Sequence, residues 1–304
     1  MSQPLPRLIE LLAASAERPL PAHDITVPEL RAFCDDGVLR YHHLVRRSAP
    51  LYAVRELTSP AGVPVRLYLP SDSAHLPLHV HLHGGGWWMG SLDTVDPMAR
   101  ELAGAGMAVA SVGYRLAPEH RWPAAPEDVY EVLCWLAEDY PSVSIGGESA
   151  GANLAAVASL MARDRGGPPP VAQWLDVPAV DLRLPEDNSV RKFGSGFGLE
   201  VAQLPMIAAW YADDLDHPYV SPARADLAGL PPTIVTTAEF DPMRDQGEAF
   251  AAALSAAGVE VELRRARGHI HASSWFTAID SDTAAWHDEV VGLLLDRHAL
   301  RALA

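Results

Sequence analysis

Residues 147–151 read GESAG, a G-x-S-x-G pentapeptide that stands between a strand-like segment and a helix-like segment. The preceding residues 142–145 form a short β-branched run, which predicts a buried strand. The following residues 152–162 are rich in helix formers. A strand, a sharp turn and a helix form a nucleophile elbow, in which glycines allow a strained turn to present a serine hydroxyl at the carboxyl edge of a sheet. This context predicts Ser149 as a nucleophile, and a chance match in a chain with 22 glycines is the alternative.

A second motif, HGGG at residues 83–86, follows the apolar run at residues 78–82. Acyl transfer passes through a tetrahedral intermediate with a negatively charged oxygen, which backbone N–H groups stabilise where glycines let them approach closely. In lipases and esterases, a loop of this type supplies part of the oxyanion hole, and the residue after the nucleophile supplies the rest. The motif predicts the amides of Gly84, Gly85 and Ala150 as oxyanion donors, with a plain glycine-rich turn as the alternative.

The residues downstream of Ser149 supply candidates for a base and an acid. A serine nucleophile needs a base that accepts its proton and an acid that orients the base. Asp241 closely follows a predicted strand at residues 233–237, and His271 follows a predicted strand at residues 259–263. The order serine, acid, histidine, each just past a strand, is that of the α/β-hydrolase fold. It predicts Ser149, Asp241 and His271 as a catalytic triad.

Five motifs together resemble the hormone-sensitive-lipase-like bacterial esterases, over roughly residues 51–298. The resemblance implies that Ser149 is the nucleophile, His271 the base and Asp241 the orienting acid, with no metal and no organic cofactor. This chain departs from the family at Glu148, where Asp or Thr is common, and at His269, where Met or a similar residue is common. It also has Ala272-Ser273 where the family has Gly-Phe. The five motifs are HGGGW at 83–87, YRLAPEH at 114–120, GESAG at 147–151, DPMRD at 241–245 and GHIH at 268–271.

Two histidines, His269 and His271, are candidates for the base. They lie two residues apart and face the same side of an extended segment, so spacing does not distinguish them. The base must reach Ser149 through one ring nitrogen and Asp241 through the other. In the resembled family, the catalytic histidine falls three residues after the loop glycine, and counting from Gly268 gives His271. His269 is then expected to pack near the site or to form local hydrogen bonds.

Eight strand-like segments alternate with helix-like segments from the third strand onward. Two opening strands followed by strand–helix units predict a mostly parallel eight-stranded sheet with helices on both faces. We expect a single α/β-hydrolase domain over residues 1–304. The strand-like segments are residues 52–58, 63–69, 78–82, 107–114, 142–145, 171–177, 233–237 and 259–263.

Two regions, residues 1–48 and 185–225, fall outside this alternation. The first carries helix-like stretches at 8–16 and 28–34, and the second carries one at 199–211. In the resembled family, such segments form a helical cap over the active site, where a cap excludes water and supplies apolar walls for an acyl group. The predicted substrate-binding residues are Trp87, Trp88, Phe197 and Tyr211; simple packing under the cap is the alternative for the two tryptophans.

Two other sequence patterns could indicate a metal site or a dinucleotide site. His79, His81 and His83 share one face of a predicted strand, at a spacing that could place two metal ligands together. No acidic or cysteine ligand follows nearby, so the sequence favours packed or hydrogen-bonded side chains, with His83 supporting the oxyanion loop. The glycine-rich segment at 194–198 neither follows a strand nor completes G-x-G-x-x-G, which disfavours a dinucleotide site. We expect neither a metal nor a cofactor.

Composition narrows the choice of partners. The 304 residues suffice for one large core, and the formal net charge of −16 disfavours nucleic acid and anionic membranes as partners.

The amino terminus lacks a signal-peptide pattern, and no apolar run approaches the roughly 18 residues of a spanning helix. Two cysteines, Cys34 and Cys134, are too few for a disulfide framework. We expect a cytoplasmic protein; the resemblance also allows a homodimer joined edge to edge through residues 259–263, which Glu260 and Glu262 oppose.

The triad and the resemblance predict a serine carboxylesterase that hydrolyses short-to-medium acyl esters through an acyl-enzyme. Its partner would be a small-molecule ester held in an enclosed pocket, because no large apolar surface suited to a lipid interface is evident. An amidase, arylformamidase or lactonase with the same triad is one alternative. A biosynthetic enzyme and a ligand-binding protein on this fold are others, although binding proteins of this type typically lose a triad member.

Overall fold

The structure is a computed structural model that describes residues 3–16 and 25–303. Within these ranges, eight strands form one sheet in the order β1-β2-β4-β3-β5-β6-β7-β8. The first two strands pair antiparallel with their neighbours, and strands β3 to β8 run parallel. The strands are β1 (Ala53–Thr58), β2 (Pro64–Leu69), β3 (Leu78–Leu82), β4 (Ala108–Val112), β5 (Val143–Glu148), β6 (Gln173–Asp176), β7 (Thr233–Phe240) and β8 (Val261–Ile270).

Helices follow the strands of the parallel part, as expected for crossovers between parallel neighbours. The expected mostly parallel eight-stranded sheet is therefore confirmed. Over the described residues, the helices are α1 (Pro6–Ala16), α2 (Val27–Leu39), α3 (Asp96–Gly104), α4 (Ala124–Leu136), α5 (Ala150–Arg165), α6 (Asn188–Phe193), α7 (Leu204–Tyr211), α8 (Arg244–Ala256) and α9 (Ser281–Leu303).

The sheet separates two hydrophobic clusters, because successive side chains of a strand point to opposite faces. Leu78, Val80 and Leu82 of β3 belong to the larger cluster, which α4, α5 and α8 cover. Trp174 of β6 and Val109 of β4 belong to the other cluster, which α3 and α9 cover. Burial on both faces explains why the central strands read as apolar runs.

Helix α5 packs closely against the sheet because its first four turns are rich in alanine. All of its residues from Ala150 to Ala162 are buried. Two glycines of the elbow have no room for a side chain: a Cβ on either Gly147 or Gly151 would lie 2.2 Å from the Leu82 carbonyl oxygen. The helix ends at Gly166 in the left-handed conformation, as the sequence predicts.

The amino-terminal helix α2 is fastened to the segment that follows the HGGG motif. Thr26 caps it through a reciprocal capping box with Glu29. Arg31 Nε donates to the Trp88 carbonyl at 2.5 Å, and Gly90 N donates to Asp35 Oδ1 at 2.9 Å. The helix is therefore held directly beside that loop.

Several predicted elements differ from the structure in extent. The last strand continues to Ile270, so that Gly268, His269 and Ile270 lie within β8 rather than in a loop after it. The helix expected over 199–211 is a short 3-10 turn at Val201–Gln203 followed by α7, and the sequence missed α6 altogether. Of the two amino-terminal helices, α1 begins at Pro6 and α2 extends to Leu39.

Residues 1–2 and 17–24 of the first predicted cap segment lie outside the described residues. Within the described part of the chain, no helix combines the length and the apolar character needed to cross a bilayer.

Candidate active site

Ser149 sits at the elbow between β5 and α5 in a strained backbone conformation. Its φ of 54° and ψ of −113° are rare for a residue with a side chain, and such strain is typical of functional turns. The Ser149 amide donates to the Asp176 carbonyl of β6 at 2.8 Å, and Asn153 N donates to the Ser149 carbonyl at 3.0 Å. These bonds hold the strained turn, which presents the hydroxyl at the carboxyl edge of the sheet.

His271 joins the two other predicted triad residues in one hydrogen-bonded chain. Its Nε2 lies 2.9 Å from Ser149 Oγ, and its Nδ1 lies 2.9 Å from Asp241 Oδ2. Asp241 is 0% exposed, and its other carboxylate oxygen accepts the Met243 amide at 2.8 Å. With the carboxylate fixed on Nδ1, the neutral ring keeps its proton there and leaves Nε2 free to accept the serine proton.

His269 lies away from this chain. Its Nδ1 is 2.9 Å from Ser273 Oγ, and its Nε2 is 3.1 Å from Thr283 Oγ1 on α9. Burial lowers its pKa. The structure therefore brings His271, and not His269, to Ser149 and Asp241, and it gives His269 the local hydrogen bonds that the sequence analysis expected.

The three loop glycines of HGGG line the cavity beside Ser149. Gly85 has a φ of 107°, and an added Cβ would lie 2.4 Å from the Met89 carbonyl oxygen, so only glycine fits there. His83 supports the loop from below: its Nδ1 is 2.8 Å from the Gly84 carbonyl oxygen. Tyr114 also donates its hydroxyl to the His83 carbonyl at 2.7 Å. The amide of Ala150 stands at the start of α5, across from the loop.

Glu148 lies against the HGGG loop. A Cβ on Gly84 would come within 2.8 Å of Glu148 Cγ, and the Gly84 amide is directed at the Glu148 carboxyl group. Its Oε2 is buried and has no hydrogen-bond partner among the described residues. Burial raises the pKa of Glu148 to about 7 with help from the Asp176 charge, against smaller effects of His271 and Gly84.

The carboxylates around His271 reverse the effect of burial on that ring. Burial by itself lowers the pKa of His271, but the charge and hydrogen bond of Asp241 raise it, and Asp176 and Glu148 add to this. The net effect is a raised pKa. The site therefore favours the imidazolium that forms when His271 accepts a proton.

Sequence reasoning missed Asp176, which ends β6 with a fully buried carboxylate. Burial raises its pKa to about 6, and hydrogen bonds from Thr236, Trp275 and Ser274 act in the opposite direction. The signal that could have found it is a lone acidic residue inside the apolar segment at residues 171–177.

A cavity of about 400 Å³ opens onto Ser149. Trp87 and Trp88 are among the residues that line it. Both predicted cap regions contribute walls. Those from α2 are Cys34 and Val38; those from the second region are Gly198, Leu199, Gln203, Leu204, Ile207 and Ala208.

Phe197 and Tyr211, which the sequence analysis also placed in the substrate pocket, are absent from the described residues that line this cavity. Tyr211 instead stacks on the ring of Trp87, with centroids 4.4 Å apart, and so supports a cavity wall from behind. Phe197 stacks parallel to Phe240 at 5.9 Å, in an aromatic group that packs against α1. Stacking on a neighbouring aromatic ring takes both side chains away from the cavity.

The alternating histidines of β3 point into the core behind the site. His79 Nδ1 is 2.9 Å from Ser144 Oγ, and the ring of His81 packs edge-on against Trp275 at 5.3 Å. Burial lowers the pKa of both. Among the described residues, no three His, Cys, Asp or Glu side chains are grouped so that they could hold a metal ion.

Comparison with known proteins identifies the class to which this fold and site belong. A family model described as the alpha/beta hydrolase fold matches residues 79–274. The chain belongs to the α/β-hydrolase fold family, and the predicted fold and family resemblance are confirmed.

Individual relatives are ester hydrolases. The carboxylic ester hydrolase LipN of Mycobacterium tuberculosis is 40% identical over 257 residues, which are 78% of this chain and 68% of the relative. The carboxylesterase NlhH of the same species is 42% identical over 227 residues, 69% of this chain and 70% of the relative. Among solved structures, a hyperthermophilic esterase from the archaeon Pyrobaculum calidifontis has a TM-score of 0.89 at 34% identity, and the match covers 100% of both chains.

Proposed function

We propose that this protein is a serine carboxylesterase that hydrolyses short-to-medium acyl esters. The single observation that carries the proposal is the chain of two 2.9 Å hydrogen bonds from Ser149 through His271 to Asp241 at the floor of a cavity. Relatives about 40% identical that are named carboxylesterases support the same chemistry.

In the proposed reaction, His271 Nε2 accepts the Ser149 proton as Oγ attacks the ester carbonyl carbon. Asp241 holds the ring through Nδ1 and stabilises the imidazolium. The tetrahedral intermediate collapses as His271 returns the proton to the leaving alkoxide, which leaves an acyl-enzyme on Ser149. Water then attacks the acyl-enzyme with His271 again as base, and the acid product and free Ser149 are formed.

The oxyanion would be held by amides of the HGGG loop and of Ala150. The predicted loop donors are Gly84 and Gly85. Because the Gly84 amide is already directed at Glu148, Gly86, which also lines the cavity, is the alternative partner for Gly85. Preorganised donors of this kind typically contribute about 10²- to 10³-fold each to the turnover rate.

The cavity supports the proposed preference for short-to-medium acyl groups. About 400 Å³ lies within the range of small-molecule sites, and the walls supplied by Leu199, Leu204 and Ile207 are apolar. We propose that the described parts of residues 1–48 and residues 185–225 act as the cap over this cavity. A cytoplasmic location and a homodimer through the β8 edge stay predictions from the sequence.

Labelling by a fluorophosphonate, followed by peptide mapping, tests the proposal. We expect covalent modification of Ser149 alone and a loss of about 10⁴-fold or more in kcat on p-nitrophenyl butyrate for Ser149→Ala, with the melting temperature unchanged. Ser159→Ala, a change of a buried serine on α5, the helix that follows Ser149, is the matched control and should keep both properties. Residual Ser149→Ala activity within tenfold of the unaltered protein would refute the proposal.

A substrate panel then distinguishes the leaving group. Esters, anilides and lactones of matched acyl length should be turned over with esters fastest, and butyrate esters should exceed emulsified long-chain triglycerides. Faster hydrolysis of anilides or lactones would replace the esterase with an amidase or lactonase that uses the same residues.

A further inference from the structure

Asp176 touches the segment of every predicted triad residue. It ends β6, between β5, which leads to Ser149, and β7, which leads to Asp241. Its backbone carbonyl accepts the Ser149 amide at 2.8 Å. Its side chain, on a residue only 1% exposed, reaches towards the other two segments.

The carboxylate accepts three hydrogen bonds. Thr236 Oγ1 on β7 donates to Oδ1 at 2.5 Å. Ser274 Oγ and Trp275 Nε1 donate to Oδ2 at 3.2 Å and 2.9 Å. These last two residues belong to the turn that directly follows His271, in which Ala272 has a φ of 59° and Ser273–Trp275 form a 3-10 helix. Asp176 therefore holds the turn that presents His271.

We propose that Asp176 is a positioning residue that fixes the His271 turn relative to Ser149 and Asp241 and adds a second buried negative charge beside His271. This inference rests on the proposed function, because it concerns how the proposed base is held and charged. Nothing in the proposed chemistry requires Asp176 to contact the substrate.

A carboxylate suits this position better than a neutral acceptor. His271 is faced by Asp241 after β7, by Asp176 at the end of β6 and by Glu148 at the end of β5, and each raises its pKa. Three donors stabilise the charged form of Asp176 against the effect of burial. The charge can then stabilise the imidazolium in every proton transfer, while the hydrogen bonds keep the ring in line.

Replacement by the isosteric amide, Asp176→Asn, tests both parts. We expect kcat on p-nitrophenyl butyrate to fall about 10- to 100-fold, as when a buried charge-assisted hydrogen-bond acceptor is lost, with KM changed less than about twofold. The labelling rate by the fluorophosphonate falls on the acidic side of its pH profile, and this acidic limb should move to lower pH, because removal of a negative charge lowers the pKa of His271. An unmoved limb or an unchanged kcat in a folded variant overturns the proposal.

Asp128→Asn controls for the loss of a buried carboxylate. Asp128 is buried and pairs with Arg115 at 2.7 Å, outside the group of charges that faces His271. This variant should lower the melting temperature and leave the acidic limb in place. If it moves the limb as far as Asp176→Asn does, the shift reflects a general loss of stability and the proposal is wrong.

A second pair of variants keeps the test decisive if Asp176→Asn fails to fold. Trp275→Phe removes one donor to the carboxylate and keeps the ring stack with Trp174, whose centroid lies 5.0 Å away. Trp174→Phe is the matched control from the same stack, because the indole N–H that it removes donates to Thr236 and not to Asp176. We expect kcat to fall about three- to tenfold in Trp275→Phe and to change less than twofold in Trp174→Phe. Equal effects of the two variants overturn the proposal.

Labelling of the unaltered protein separates this inference from the proposed function. If the fluorophosphonate does not modify Ser149 there, the serine-hydrolase mechanism fails. If Ser149 is modified and the Asp176 variants behave like the unaltered protein, the mechanism stands and only the role of Asp176 fails.

Discussion

His271 and His81 are both enclosed by protein, and yet their pKa values are shifted in opposite directions. The pKa of His271 is raised above 6.5, whereas burial lowers that of His81 to about 3 with help from the charges of His83 and His287. The two rings differ in what surrounds them. Three carboxylates face His271, whereas the His81 ring packs against Trp275, and within the described ranges neither of its nitrogens has a hydrogen-bond partner.

This difference follows from where each residue lies along the sheet. His81 lies inside β3, where the neighbouring strands and helices offer mainly apolar side chains. His271 lies just beyond β8, at the edge where the ends of β5, β6 and β7 bring Glu148, Asp176 and Asp241 together. In parallel sheets this edge is where polar groups converge from several strands. The same type of side chain is therefore a neutral core residue in one place and, in the other, the proposed base with a raised pKa.

Replacement of His271 gives the largest expected effect. His271→Ala should lower kcat on p-nitrophenyl butyrate by about 10³-fold or more, because it removes the ring nitrogen that lies 2.9 Å from Ser149 Oγ and would accept its proton. Stopped assays at saturating substrate measure it, and unchanged circular dichroism controls for folding. A loss of less than tenfold would mean that the carboxylates around His271 do not serve catalysis.

The core histidines should make the fold sensitive to acid. Unfolded histidine titrates near 6.5, whereas folded His81 does so at about 3 and His287 at about 4, so the unfolded state binds protons first as the pH falls below 6.5. The destabilisation of the fold by these two histidines is absent above pH 6.5 and grows as the pH falls towards about 4. The raised pKa values of Glu148 and Asp176 act oppositely between about pH 4 and 7, because there the folded state binds more protons.

His81→Phe isolates one of these contributions. At pH 8 the variant should match the unaltered protein closely, since in the described part of the chain neither ring nitrogen of His81 has a hydrogen bond to lose. At pH 5 it should be more stable by about 2 kcal/mol, measured by urea unfolding. His298→Phe is the contrast at pH 8: it loses hydrogen bonds to Ser142 and Ser144 and should be destabilised there. Because burial also lowers the pKa of His298 to about 4, part of that loss should be recovered at pH 5. An equal pH dependence of His81→Phe and the unaltered protein would contradict this account.

His269 provides a test within two residues of the base. His269→Ala should lower the melting temperature, because it removes buried hydrogen bonds to Ser273 and Thr283. Its kcat should fall less than about tenfold, since the ring does not contact Ser149. If His269→Ala damages kcat more than His271→Ala, the assignment of the base is reversed.

The sequence could predict the fold, and could suggest the triad, because both depend on the order of local elements along the chain. Each triad candidate follows a strand-like segment, and the carboxyl ends of parallel strands meet at one edge. The length of β8 was hidden because Arg264, Arg265 and Arg267 interrupt its apolar residues. An edge strand with a charged exposed face does not read as an apolar or regularly alternating run.

The remaining features depend on contacts between distant segments. The role of Asp176 depends on hydrogen bonds from Ser274 and Trp275, which lie 98 and 99 residues further along the chain and reach it only in the folded protein. Tyr211 and Trp87 are both aromatic residues near the predicted pocket, and the sequence could not tell which ring faces the cavity and which one stacks behind it. Side-chain order of this kind is set by tertiary packing.

The smallest expected effect is a shift of the acidic limb of the pH–activity profile on replacement of Glu148. Activity requires neutral His271, so it should fall as the pH drops through a midpoint above 6.5, in line with the raised pKa. Glu148→Gln removes one of the three facing carboxylates and should move this midpoint to lower pH. The shift should be less than about one pH unit, because the pKa of Glu148 is itself about 7 and its charge is partly lost where His271 titrates. Profiles of kcat between pH 5 and 9, with labelling rates as an independent readout, measure the midpoint. A midpoint below 6.5 in the unaltered protein, or an upward shift in Glu148→Gln, would show that burial outweighs the carboxylates at His271, as it does at His81.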